Sequence, residues 1–153
     1  MTKSFGPVGA LHTVDAFQER LRSLGLSIPA DRDLLSGDAS PLAQPIRTQR
    51  FTIRNRFAIQ PMEGWDGTPD GHPSELTIRR WKHFGRSGAG LIWGSEAVAV
   101  RHDGRANPNQ LLFGEHTRAG LAQLRKTLID AASTDVVIGL QLTHSGRFSR
   151  PNS

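Results

Sequence analysis

Apolar positions follow two different spacings along the chain, and the switches between them lay out its elements. Val14, Phe17, Leu21 and Leu24 recur at helical spacing, with Thr13 placed to cap the start and Gly25 to end the last turn, which predicts one amphipathic helix. Residues 27–44 mix Pro, Asp, Ser and Gly without a period and read as an extended connection. Between 46 and 53 apolar residues are sparse, yet Phe51 and Ile53 flank Thr52 as a short strand would. The apolar triplet Phe57-Ala58-Ile59 predicts a first interior strand. After it, Ser74 can cap a helix carrying Ile78, Trp81 and Phe84 on one face, with Gly85 and Gly88 expected to end it. A second strand is predicted over 91–94, followed by a long loop, and Leu121, Leu124, Leu128 and Ala131 mark a further helix. The last strand, 136–142, is β-branched and apolar on both faces, as a buried parallel strand should be.

Strand, helix, strand, helix, strand is the order of right-handed parallel units, so the fold class is α/β. The 153 residues suffice for one ordinary domain. A whole (β/α)8 barrel takes about 250 residues. The expectation is therefore the N-terminal part of a TIM barrel, truncated after its third strand, with about three parallel strands and their helices. Residues 1–40 form an N-terminal helix and extended connection, and 41–153 the partial barrel.

Composition narrows the function classes. The chain has no cysteine, which excludes disulfides and thiolate metal sites. No apolar run approaches the roughly 20 residues of a membrane span, and residues 1–10 lack the apolar centre of a signal peptide, so a cytoplasmic protein with no membrane partner is expected. The net charge of +5 raises the question of nucleic acid, but the arginines are dispersed from Arg20 to Arg150 with no basic stripe interleaved with aromatics. No nucleic-acid partner is expected. Asp66, Asp70, His72 and His102 lack a metal-ligand spacing.

Three predicted strands end in polar runs: residues 60–68, then Ser95-Glu96-Ala97, then Gln141-Leu142-Thr143-His144-Ser145-Gly146-Arg147. In α/β folds ligands bind at strand ends, so three such runs on one rim suggest a barrel mouth. Gln141 can donate and accept, which suits a ligand with carbonyl and N–H groups; it can equally cap the strand. Pro61 fixes its loop, and it and the small Ala97 can serve turn geometry and packing. Trp65 can pack the loop. His144 and Arg147 can meet an anionic group, although a histidine on such a loop is more often structural, and Glu96 can pair with an arginine such as Arg147.

The ordered set Asn55-Arg56, Pro61-Met62, Gly88-Ala89-Gly90-Leu91-Ile92, Glu96-Ala97 and Gln141 to Arg147 resembles the N-terminal part of the Old Yellow Enzyme family of FMN-dependent NAD(P)H:flavin oxidoreductases. The resemblance covers residues 41 to about 151. It implies an enzyme passing hydride from NAD(P)H through FMN to a small, electron-poor substrate. It also implies that Pro61, Met62, Glu63, Ala97 and Gln141 bind the cofactor and that Trp65 faces the substrate; His144 and Arg147, beside Gln141, are expected to bind substrate, with the flavin edge as the alternative. Glu63 departs from the family's usual Thr or Cys; it either faces the flavin carbonyl, where a carboxylate would repel reduced flavin, or is an exposed loop residue. The family's substrate-anchoring pair, proton-donating tyrosine and FMN phosphate site belong to later strands, and this chain has no tyrosine. No catalytic residue is assigned, activity of the 153-residue chain alone is doubtful, and self-association or a complementing C-terminal polypeptide is expected. The alternative is a noncatalytic truncated barrel domain that needs a partner polypeptide.

Overall fold

The computed structural model describes residues 6–152, the side chain of Ser95 excepted. By contact the chain divides into two compact units, Met1–Ser40 and Pro41–Ser153.

In the first unit, α1 spans Val14–Ser23. Thr13 Oγ1 accepts from Ala16 N at 3.1 Å and so satisfies one of the free N–H groups at the helix start. The helix ends through a paired cap, Leu26 N to Leu21 O at 2.9 Å and Gly25 N to Arg22 O at 3.0 Å. That cap needs the left-handed φ of +68° at Gly25. Leu21 is the buried apolar residue of this helix.

The second unit opens with a hairpin, β1 (Ile46–Arg47) against β2 (Thr52–Ile53). The expected strand at 51–53 is β2; its partner β1 carries too few apolar residues to show in the pattern. Then β3 (Ala58–Ile59), β4 (Leu91–Ala99) and β5 (Val137–Thr143) form a parallel sheet in the order β3-β4-β5, crossed by α2 (Glu75–Arg86) and α3 (Arg118–Ala131). Trp81 of α2 and Leu124 and Leu128 of α3 close over Ile92 and Val98 of β4 and over Leu111, with Ile138 and Leu140 of β5 packed against them. Each such aliphatic or aromatic side chain, once buried, contributes about 1.5–3 kcal/mol.

Three sequence expectations are corrected. Gly85 does not end α2. It lies buried in the helix, where an added Cβ would strike the Leu128 carbonyl oxygen, so its role is to let α2 and α3 approach closely. The stop is the left-handed Gly88, φ +79°. The second strand does not stop at Gly94 but continues to Ala99, so Glu96 and Ala97 are strand residues rather than loop residues. Continuation is possible because the register jumps between Trp93↔Gly139 and Ala97↔Gln141, inserting two extra residues in β4 around Gly94, φ +77°. The longer β4 in turn carries β5 to Thr143, which places Gln141 inside its strand rather than at its end. None of the described helices is long and apolar enough to cross a membrane.

Candidate functional site

Because β5 alternates, Gly139, Gln141 and Thr143 project from the face opposite Ile138 and Leu140, which pack on the helices. Their register partners Trp93, Ala97 and Ala99 share that face, since two extra residues in β4 preserve the alternation. Ala97 is buried and Gln141 partly buried. The Gln141 side-chain amide makes no hydrogen bond to any described residue, leaving its donors and acceptor free. It does not cap its strand.

Pro61 and Met62 are drawn to the same place. Ala97 N donates to Met62 O at 2.9 Å, and Pro61 sits over Gly94, where an added Cβ would lie 2.7 Å from the proline Cβ. The Ala97 carbonyl accepts from Gln110 Nε2 at 2.6 Å, so both polar backbone groups of Ala97 are occupied. Only its small side chain and its surface remain for a planar ligand. Pro61, Met62, Ala97 and Gln141 therefore meet on one rim.

Glu63 and Trp65 stand apart from that group. Both are exposed and line a cleft of about 440 Å³ together with Ala106, Ser145, Phe148 and Arg150. His144 is occupied locally: its Nδ1 accepts from Gly146 N at 3.0 Å, and its ring lies where a Cβ on Gly104 would fall, 2.5 Å away. Its Nε2 is 3.8 Å from Asp103 Oδ1. The exposed Arg147 lays its guanidinium 4.7 Å from the centre of the Phe148 ring.

The expected pairing of Glu96 with Arg147 is corrected: the arginine is Arg80. Glu96 faces the helix side, fully buried, where Arg80 Nη2 donates to its Oε2 at 2.6 Å and Gly64 N to its Oε1 at 2.7 Å. Arg80 also grips Asp66 through Nε at 2.8 Å and Nη2 at 2.6 Å. Ser74 and Thr77, on the same face of α2, donate their hydroxyls to the Asp66 carbonyl, Thr77 at 2.8 Å. Hydrogen bonds from Arg80 hold the Asp66 carboxyl below the ordinary carboxylate range. Burial pushes Glu96 upward against the pull of Arg80.

A second buried polar group lies under the rim. Arg105 is fully buried and donates only to carbonyls: Gln110 O at 2.9 and 2.5 Å, Pro69 O at 2.6 Å and Thr68 O at 3.1 Å. Gln110 uses its whole amide, donating to Ala97 O and to Thr143 Oγ1 at 3.3 Å while its Oε1 accepts from Ala106 N at 2.6 Å. Asn107 donates to Gly64 O at 2.9 Å. Arg80, Arg105, Asn107 and Gln110 were absent from the sequence-based set. For Arg80 a signal existed, since Ser74, Thr77 and Arg80 form a polar stripe at helical spacing beside Ile78 and Trp81. Residues 100–117 have no period that would mark a buried arginine.

No protein-family model matches the chain, and no curated protein does. Solved structures do. An Old Yellow Enzyme homologue from Zymomonas mobilis is similar at 28% identity and a TM-score of 0.59, over 71% of this chain and 29% of that one. Morphinone reductase, solved in complex with tetrahydroNAD, is 26% identical with a TM-score of 0.58, over 71% and 28%. The old yellow enzyme from Trypanosoma cruzi is 25% identical with a TM-score of 0.60, over 72% and 29%. The chain thus spans less than a third of the length of these relatives. It resembles the Old Yellow Enzyme family, and its fold is the N-terminal part of an α/β TIM barrel.

Proposed function

We propose that this chain forms the cofactor-facing N-terminal part of an FMN-dependent NAD(P)H oxidoreductase of the ene-reductase kind. The observation that carries the reading is the free Gln141 amide on the face opposite the helices, in register with the small residue Ala97, to which the Pro61-Met62 backbone is tied. A flavin ring has carbonyl and N–H groups along one edge and a planar body, and this donor set fits both. The chemistry that FMN supplies when bound is hydride uptake from a reduced nicotinamide and its delivery to an electron-poor alkene, such as an α,β-unsaturated carbonyl compound. In this reading Gln141 orients the ring edge, Pro61, Met62 and Ala97 shape the surface against it, and Glu63 borders the ring from the neighbouring cleft. Trp65, His144 and Arg147 stand on the substrate side of the rim. The exposed place of Glu63 favours a loop carboxylate that leaves the flavin's potential alone.

A second reading, a noncatalytic barrel domain that needs a partner polypeptide, is favoured by a different observation. Among the described residues β5 is paired with β4 alone, and beside it an apolar groove of about 270 Å³ is lined by Trp81, Phe113, Leu121, Ile138 and Leu140. Trp81 Nε1 is buried there without an acceptor among the described residues. Another polypeptide or a second copy would cover both.

FMN titration separates the two. The 153-residue chain should bind FMN weakly, because the ring contacts are present without a phosphate anchor. Joined to the remaining βα units of the Zymomonas mobilis homologue, it should retain FMN, and Gln141→Ala should weaken binding about tenfold, the worth of a lost hydrogen bond. Unchanged affinity in that variant would remove Gln141 from the site and with it the first reading.

A further inference from the structure

The 61–66 loop has almost nothing apolar to hold it. Met62 is 71% and Trp65 67% exposed, and Glu63 is exposed as well. Its fixed points are polar: Met62 O on Ala97 N, Gly64 N–H on Glu96, Gly64 O on Asn107, and Asp66 on Ser74, Thr77 and Arg80. From this we infer that Glu96 and Arg80 are positioning residues that set the loop's conformation before any ligand arrives, so that the rim facing the cofactor is preformed.

Two arguments support this beyond the contacts themselves. A fully buried carboxylate costs several kcal/mol to desolvate, and apolar replacements of buried ion pairs are often neutral or stabilising, so stability alone gives a weak reason for Glu96. What an apolar side chain cannot do is accept from Gly64 N–H. The site is also closed sterically, since a Cβ on Gly64 would lie 2.5 Å from Glu96 Oε1 and 2.6 Å from Arg80 Nη2. Arg80 spans two carboxylates with one planar fork, using Nε and Nη2 on Asp66 and Nη2 on Glu96. Lysine, a single point donor, cannot reproduce that geometry.

The inference concerns the loop and rests on the proposed function only in naming the cofactor as what the loop faces. Its test reads the loop directly, by amide hydrogen exchange on the 153-residue chain, and needs no bound FMN. In the wild type, Gly64 N–H should exchange about a hundredfold more slowly than the exposed Glu63 N–H. Glu96→Gln keeps an acceptor for Gly64 and should stay within about tenfold of wild type, while Glu96→Leu should lose the protection and leave the amides of α3 unchanged. That rescue by the amide separates positioning from a plain ion pair between α2 and β4, which would move both variants alike through global stability. Gly64 protection that survives Glu96→Leu, or that falls in step with α3 in both variants, overturns the inference. If Glu96→Leu does not fold, Arg80→Lys decides: lost Gly64 protection over an intact α3 supports it, and wild-type protection refutes it. Failure of FMN to bind anywhere would overturn the proposed function and leave these exchange rates untouched.

Discussion

Two segments build the rim, and they are held in opposite ways. The loop after β3, residues 60–68, exposes Met62, Glu63 and Trp65 but is gripped by charges and amides, Glu96, Asn107 and Arg105 holding its backbone and Arg80 the Asp66 carboxylate. The segment after β5, residues 144–151, is tied through its own backbone, Ser145 N to Gly104 O and Arg150 N to Arg105 O at 2.8 Å each. Among the described residues Ser145 Oγ and Ser149 Oγ are buried without a hydrogen-bond partner, and Phe148 is 69% exposed. Buried polar groups in finished structures are nearly always paired. The first segment is thus held by side chains from elsewhere in the fold, whereas the second leaves two buried hydroxyls unpaired among the described residues.

The strongest way to break the contrast is Arg105→Met. It would leave the buried carbonyl of Gln110, and the part-buried carbonyls of Pro69 and Thr68, without their donor. The expected loss is about 3–5 kcal/mol, measured by urea unfolding. A loss below about 1 kcal/mol would show that the loop relaxes without its buried cation.

A medium effect is expected from pH. The Asp66 pKa lies below its ordinary 3.8 in the folded state, chiefly through hydrogen bonds from Arg80. A lowered pKa contributes stability above the unfolded value and loses it as pH falls through the folded value. Glu96 is raised by burial, so its contribution runs the other way, present at low pH and lost as pH rises through its folded value. Stability should therefore fall with acid in the range below 3.8 on account of Asp66, and Asp66→Asn should flatten that limb in thermal melts taken across it. An unchanged acid limb would mean that other carboxylates govern it.

The smallest effect sharpens the other half of the comparison. Ser145→Ala removes a hydroxyl that has no partner, so stability should stay level or rise by less than about 1 kcal/mol. A loss above that would reveal that the hydroxyl is bonded in solution and that the second segment is as complete as the first.

How far the sequence shows these features depends on whether periodicity can express them. The α2 and α3 faces were legible because Trp81, Leu124 and Leu128 repeat at helical spacing and are in fact buried. The parallel order was legible from strand spacing, and the gathering of Pro61, Met62, Ala97 and Gln141 from resemblance rather than from any rule of pattern. The extent of β4 was hidden because two inserted residues interrupt its alternation at Gly94. The partner of Glu96 was hidden for a related reason: a loop residue there would meet an arginine of the rim such as Arg147, whereas strand geometry turns it under α2 to Arg80. Buried Arg105 and Gln110 satisfy themselves on backbone carbonyls and amides, and backbone partners leave no trace in side-chain identity.

The irregularity in β4 also constrains how this gene can change in length. Between Trp93 and Ala97 the strand carries two residues more than β5 does opposite, and an even number keeps odd and even positions on their proper sides. Loss or gain of one codon there would turn Ala97 and Ala99 under the helices and swing Val98 out to the opposite face, exchanging core and rim in a single step. Loss or gain of two would leave every downstream side chain facing as before. Among descendants of this sequence, length variation at residues 94–96 should therefore survive in pairs of codons, while a lone insertion or deletion should be purged.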